Sequence, residues 1–459
     1  MSKEYNELKK NTIIIAIANL GSKFIAFFLA PMYSYYLNTS QYGTMDLINS
    51  TITLIAPFIV LDIYDATFRY ASDNKYDSKK VLSTSIAVCI PSLFVCIFLF
   101  SFGNVVQFLP DYFGIVSLSL LLTAINSVLS QFLRGTGKMV RFGMAGIVSS
   151  IFMLVANYFL LVQFRLGLWG WLYSLLICKI AETVYLLWAS KTLSIFSIQF
   201  ISKEYFWEFM HYCLPLLPTA SMWWIMNLSD RYMLAIFVGT ASTGLYAVAN
   251  KLPSMLSIFE NIFYQAWQTT AINTLDNKDR DSVYSSVLNN YFSIMLIGLM
   301  GILIIGKPMI VFLFEESYFD AYKYIPLLVI AVVIHALSGN IGSLYSVFKN
   351  TKGCLYSSIV GALINIILNI VFIPVFGILG ACLTTIIGYL ATLLYRLVDI
   401  RKYVDIKLDV KKNTVLIVMV VCCLCLYFVD GYLSYGVRIL ATILMIFQYR
   451  TPVLKALKR

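Results

Sequence analysis

The sequence predicts an all-α polytopic membrane protein of about 14 transmembrane helices, two six-helix lobes followed by two C-terminal helices. Three observations predict it. The 459 residues are 60% hydrophobic and 12% charged, with a mean hydropathy of +0.80, whereas soluble domains carry about 25% charged residues. Apolar runs of spanning length, ~20 residues each, recur from one end to the other. Lys and Arg collect on alternate connections between those runs. The net charge of +11 therefore reads as cytoplasmic-loop cations and not as a nucleic-acid surface.

In chain order, the charged opening MSKEYNELKK leads into a hydrophobic stretch too long for a cleaved signal peptide, so it is read as a retained first helix. Spans are expected to begin near Thr12, Thr44, Lys80, Phe113, Met139, Leu168, Trp207, Thr243, Val283, Tyr322, Cys354, Ile378, Thr414 and Tyr432. Placing the N-terminus in the cytoplasm tests this count. It and the later cytoplasmic segments (69–80, 134–141, 191–203, 278–280, 349–352, 396–412 and 450–459) then hold 26 of the 34 Lys and Arg residues. The opposite loops hold Arg165, Lys307 and Lys323. Both termini are thus expected in the cytoplasm. Lys23, Lys179, Arg231, Lys251 and Arg438 remain inside spans, Arg438 close enough to the outer face to snorkel.

The chain also repeats itself. A shift of 201 residues sets LNTSQYGTMDLIN (37–49) against VGTASTGLYAVAN (238–250), pairing Thr39 with Thr240, Gly43 with Gly244 and Asn49 with Asn250. Farther on, Gly167-Leu-Trp-Gly170 corresponds to Gly377-Ile-Leu-Gly380, and the basic turn 134–138 to 349–352. Matches in this order argue for two copies of a six-helix unit. An even number of helices gives both copies one orientation, so their symmetry axis would run along the membrane normal. The expected division is 1–200, 201–405, and an added helix pair with a cytoplasmic tail over 406–459.

Leu20-Gly-Ser-Lys23, Tyr42-Gly43, Ser229-Asp-Arg-Tyr232, Gly244-Leu-Tyr-Ala-Val-Ala-Asn-Lys251 and Gln265-Ala-Trp267, in this helix order, resemble the Wzx-type polysaccharide-lipid flippases of the multidrug/oligosaccharidyl-lipid/polysaccharide exporter superfamily. The resemblance covers nearly the whole chain. It implies a twelve-helix core with an optional extra pair, in a bacterial cytoplasmic membrane. It also implies alternating-access export of undecaprenyl-diphosphate-linked oligosaccharides for surface polysaccharide. Partners would be membrane lipids, a polysaccharide polymerase and chain-length proteins, with no nucleic acid.

That chemistry breaks no bond, so it asks for no nucleophile, metal or cofactor, only for a proton or sodium gradient as driving force. The residues agree. Nine cysteines and two histidines show no ligand spacing, and no GxxxxGK[ST] loop occurs. An anionic diphosphate asks for cations in a wet path, because crossing hydrocarbon unaided costs many kcal/mol. Lys23 and Lys251, at similar depth in helices 1 and 8, are the expected diphosphate clamp, with Arg231 a third cavity cation; the alternative for each is pairing with a carboxylate in helix packing. Asp230 and Arg231, adjacent near the outer face, are read as a gate or structural ion pair. Lys179 with Glu182 (i, i+3) and Asp65 with Arg69 (i, i+4) are expected internal pairs. Asp62 and Glu260 are left over, as candidates either for ion coupling or for neutral hydrogen bonding. Trp223, Trp224 and Trp267 are candidates for stacking on sugar. Rival readings are a peptidoglycan-precursor flippase and a multidrug cation exporter. The second would want an acidic cavity, and an enzyme would want larger outer loops than 306–320.

Overall fold

The computed structural model describes residues 21, 25, 27–73, 75–101, 112–214, 217–275, 277–348, 351–407, 409–429 and 431–457. Among these every regular element is helical. By contacts the chain divides into Met1–Trp224 and Ile225–Arg459.

The first unit begins with helical residues 27–36 (α1). It continues with α2 (Thr39–Ile59), α3 (Ile63–Ala71), α4 (Ser78–Ser101), α5 (Phe113–Gly135), α6 (Met139–Asn157), α7 (Gly167–Ser190), the short α8 (Thr192–Ile195) and α9 (Lys203–Cys213). Helix α10 (Leu217–Phe237) crosses the division. The second unit contains α11 (Thr240–Ala249), α12 (Lys251–Asn273), α13 (Arg280–Leu313), α14 (Ile325–Val347), α15 (Thr351–Phe376) and α16 (Ile378–Asp399). It ends with α17 (Val410–Tyr427) and α18 (Tyr432–Leu457). Most starts lie within a few residues of those expected. Seven described helices are long and apolar enough to cross a membrane, and an eighth span results if the bent pair α2–α3 is one crossing. The first span, expected from Thr12, lies largely outside the described residues.

Three spans differ from simple rods. Helices α2 and α3 meet at 62°, where Leu61 and Asp62 take φ of 51° and 57°, a left-handed conformation costly for side-chain-bearing residues. The span expected from Trp207 divides into α9 and α10. Helix α9 is a separate helix of about three turns opened by Ser202, whose hydroxyl accepts from Tyr205 N, and it packs on α3 and α4. The span expected from Thr243 breaks at Asn250, between α11 and α12.

The internal repeat has a structural basis. Asn38 and Gly239 are the N-caps of α2 and α11. Gly167 and Gly377, both with φ 56°, lead into α7 and α16. In each case a second glycine three residues later lets the helix lie on the backbone before it. A Cβ on Gly170 would stand 2.8 Å from Leu160 O, and one on Gly380 2.5 Å from Phe372 O. Only glycine tolerates both demands.

Cores sit inside each unit, around Leu129, Phe132 and Leu186 in the first and Trp267, Tyr284, Leu344 and Leu393 in the second. Large apolar side chains also face outward, Trp188 and Phe312 among them, as lipid requires. Two cations sit where sequence did not put them. Arg438 does not snorkel: it is 1% exposed, donates to Leu303 O of α13 at 2.8 Å and lies 4.1 Å from the Tyr435 ring centroid. Arg396, counted above as a loop cation, is buried. It donates to Ser338 O (2.8 Å), Ser357 Oγ (3.0 Å) and Ser358 Oγ (3.2 Å), in space that a Cβ on Gly342 would fill.

Candidate functional site

The densest polar constellation described inside the spans is centred on Asp230, which is 2% exposed. Four helices of the second unit build it. From α15, Asn369 Nδ2 donates to Oδ1 at 2.6 Å. From α16, Thr385 Oγ1 donates to Oδ2 at 2.6 Å, and from α11 the Tyr246 hydroxyl donates to the same oxygen at 3.0 Å. A second ring surrounds the first. Thr384 donates to Asn369 Oδ1, Asn369 Nδ2 also reaches Asn365 Oδ1 at 3.2 Å, and Ser229 Oγ reaches that oxygen at 3.4 Å. The close approach of α15 and α16 makes this possible: a Cβ on Gly388 would stand 3.0 Å from Asn365 Cβ and 3.2 Å from Gly361 O, a tight fit.

Chemically this is one carboxylate among amide and hydroxyl oxygens, with every side chain hard and oxygen-bearing. Such a set suits a proton or a small hard cation, and ionisable groups at this depth mark ion pathways. Asp230 was expected in an ion pair. Arg231 does bear on it electrostatically, and stands 6.0 Å above the Tyr246 ring, but three neutral donors hold the carboxylate in addition. The signal available in sequence was Asn365 and Asn369 at i, i+4, which α15 turns to one face.

The other expected residues separate. Lys251 is half-buried and opens α12 directly after the Asn250 break. Lys179 and Glu182 pair at 3.2 Å, with Ser149 Oγ also on Glu182. Asp65 does not pair with Arg69: Arg69 is exposed on the short α3, and the opposite charge bearing on Asp65 is Arg134 of α5. Asp62 sits at the α2–α3 break, 4% exposed, with Oδ1 lacking a hydrogen-bond partner and its carbonyl accepting from Cys213 Sγ. Glu260, left over in the sequence, has a partner in His335 at 2.9 Å. Trp267 is unavailable to sugar. It is 2% exposed, donates to Asn340 O at 3.1 Å and packs edge-on against Tyr284. Lys23 and the side chains of Trp223 and Trp224 lie outside the described residues.

Known proteins resemble this chain as follows. A family model described as polysaccharide biosynthesis protein matches residues 8–268. A probable low-salt glycan biosynthesis flippase, Agl15 of Haloferax volcanii, is 20% identical over 408 residues, spanning 87% of this chain and 85% of the relative. Among solved structures, the lipid II flippase MurJ in an inward closed conformation superposes with a TM-score of 0.73 at 15% identity, covering 97% of this chain and 100% of that one. An inward-facing multidrug resistance MATE family transporter of the MOP superfamily gives 0.69 at 13% identity, covering 88% and 99%. At such identities the two structures speak for the fold.

Proposed function

Because the chain belongs to the polysaccharide biosynthesis protein family, we propose that it is a flippase carrying undecaprenyl-diphosphate-linked oligosaccharides across a bacterial cytoplasmic membrane by alternating access. The family match carries this reading, since its span includes Lys23, Asp230, Arg231 and Lys251. The apolar tail can stay in lipid while the diphosphate needs cations along its path. Lys251 and Arg231, with Lys23, supply them as point charges that strengthen as water thins out. No bond is made or broken, and the proposed driving force is an ion gradient. The Asp230 constellation is the proposed coupling site: a bound proton or cation would take up oxygens now occupied by Asn369, Thr385 and Tyr246, and so alter how α10, α11, α15 and α16 hold together. A polymerase and chain-length proteins are the proposed partners downstream.

A second reading takes a peptidoglycan precursor as the lipid-linked cargo; the fold shared with the lipid II flippase MurJ is compatible with either cargo. Complementation separates the two. The chain should restore surface polysaccharide in a strain lacking its polysaccharide flippase and fail to rescue a strain depleted of its peptidoglycan-precursor flippase; the reverse pattern overturns the first reading. Lys251→Ala should lose the restored export at normal membrane levels.

A further inference from the structure

A second ionisable pair crosses the helices of the same unit. Glu260 of α12 is 7% exposed, and its Oε1 lies 2.9 Å from Nδ1 of His335 on α14. The imidazole is half-buried and tilted against the Tyr389 ring of α16, with centroids 4.7 Å apart. Gly339, one helical turn past His335, leaves the flank of the carboxylate clear: a Cβ there would stand 3.5 Å from Glu260 Oε1. Tyr291 faces Glu260 from α13. Tyr389 feels the charges of Asp230, Glu260 and Arg231 together, so the pair and the Asp230 constellation share a neighbour.

We propose that Glu260 and His335 form a proton-binding site that is loaded and emptied during transport, a reading that rests on the flippase function above. The accounting is simple. With one proton the pair is neutral overall, the proton sitting either on Nδ1 beside a carboxylate or on Oε1 beside a neutral imidazole. Without it, the pair carries one negative charge, on a carboxylate that can still accept from the neutral imidazole. A second proton leaves an imidazolium beside a neutral carboxyl. Histidine is the side chain whose ordinary titration falls in the physiological range, and the half-buried ring gives the proton a way in that the buried carboxylate lacks. Loading strengthens the tie between α12 and α14, since the unloaded pair keeps only the hydrogen bond that a neutral Nδ1–H imidazole gives the carboxylate.

The chain has two histidines, which makes a direct test practical. In full-length His211→Gln protein, labelled histidine gives one ring signal by NMR, from His335. Glu260→Gln should move the pH midpoint of that signal, because it removes the group that His335 Nδ1 faces. An unmoved midpoint overturns the pairing. In proteoliposomes holding a fluorescent polyprenyl-diphosphate saccharide, an imposed pH gradient should change the wild-type translocation rate several-fold. Glu260→Gln and His335→Gln should each lose that response. If both variants respond as wild type does, the site carries no coupling proton. If wild type fails to translocate the probe while the midpoint still moves, the flippase reading falls and the pair stands.

Discussion

Replacing Asp230 by Asn tests whether its surroundings are built for a charge. The carboxylate accepts three bonds, and bonds to charged groups are worth ~1.5–3 kcal/mol each. An amide can keep two of them, from Thr385 and Tyr246, with its oxygen in the place of Oδ2. Its NH2 would then oppose Asn369 Nδ2, now 2.6 Å from Oδ1. Turning the Asn369 amide over relieves the conflict and gives up its bond to Asn365, a neutral one worth ~1 kcal/mol; it also sets the NH2 toward Thr384 Oγ1, which can accept from it while donating to Gly380 O. Removing a buried charge recovers desolvation of at least that size. Asp230→Asn is therefore expected to change the stability of the purified protein by no more than ~1–2 kcal/mol. Asn369→Ala, which leaves the charge and removes a donor, should cost ~1.5–3 kcal/mol. Ion response should show the opposite order. A ligand at 100 times its dissociation constant stabilises by ~2.7 kcal/mol, so the wild-type Tm should rise with sodium over choline and the Asp230→Asn Tm should not. Thermal unfolding in detergent reads both quantities. An Asp230→Asn protein that responds to sodium as wild type does would refute the coupling role.

Four further substitutions bear on the fold. Gly170→Ala and Gly380→Ala should each destabilise by ~1–3 kcal/mol through overpacking, visible as lowered Tm, because the colliding atoms are backbone carbonyls; an unchanged Tm in both would refute the helix-seam account of the repeat. Trp267→Ala should cost ~3–5 kcal/mol as a core truncation, and wild-type Trp267 should show no fluorescence change with added oligosaccharide. Arg438→Ala should lose at least the ~1.5–3 kcal/mol of its bond to Leu303 O and raise protease sensitivity between α17 and α18.

Much of this architecture is legible in the residues. Helix starts such as Phe113, Met139, Ile378 and Tyr432 fall where apolar periodicity and turn residues put them, because in lipid every backbone group has to be bonded within its own helix. The glycine repeat is legible for the same reason: a positive φ and a close approach exclude other residues. The site is less so. Spacing along a helix says which side chains share a face and nothing about what the next helix brings. Asp65 and Arg69 have ideal i, i+4 spacing on α3, yet Arg69 is exposed while Arg134 of α5 is the opposite charge bearing on Asp65. His335 lies far from Glu260 in sequence, and the cage around Asp230 draws on residues 229 to 385, beyond any local pattern.

The buried charges also sort the candidates for substrate binding. A cation inside a membrane protein can be satisfied in two ways, by neutral oxygens fixed around it or by a charged partner that can be exchanged. Arg396 and Arg438 are of the first kind, enclosed by serine oxygens, main-chain carbonyls and tyrosine rings. A diphosphate could reach them only by dismantling the contacts that hold α14, α15 and α16, or α13 and α18, together. Lys179 already has Glu182. Arg231 and Lys251 are half-buried, Arg231 within α10 near the Tyr246 ring and Lys251 directly after the break at Asn250. A cation enclosed only in part can meet an anion without unpacking a core. Of the described intramembrane cations, these two are the ones whose removal should cost transport more than stability, and the ratio of the two losses, measured variant by variant, separates them from Arg396 and Arg438.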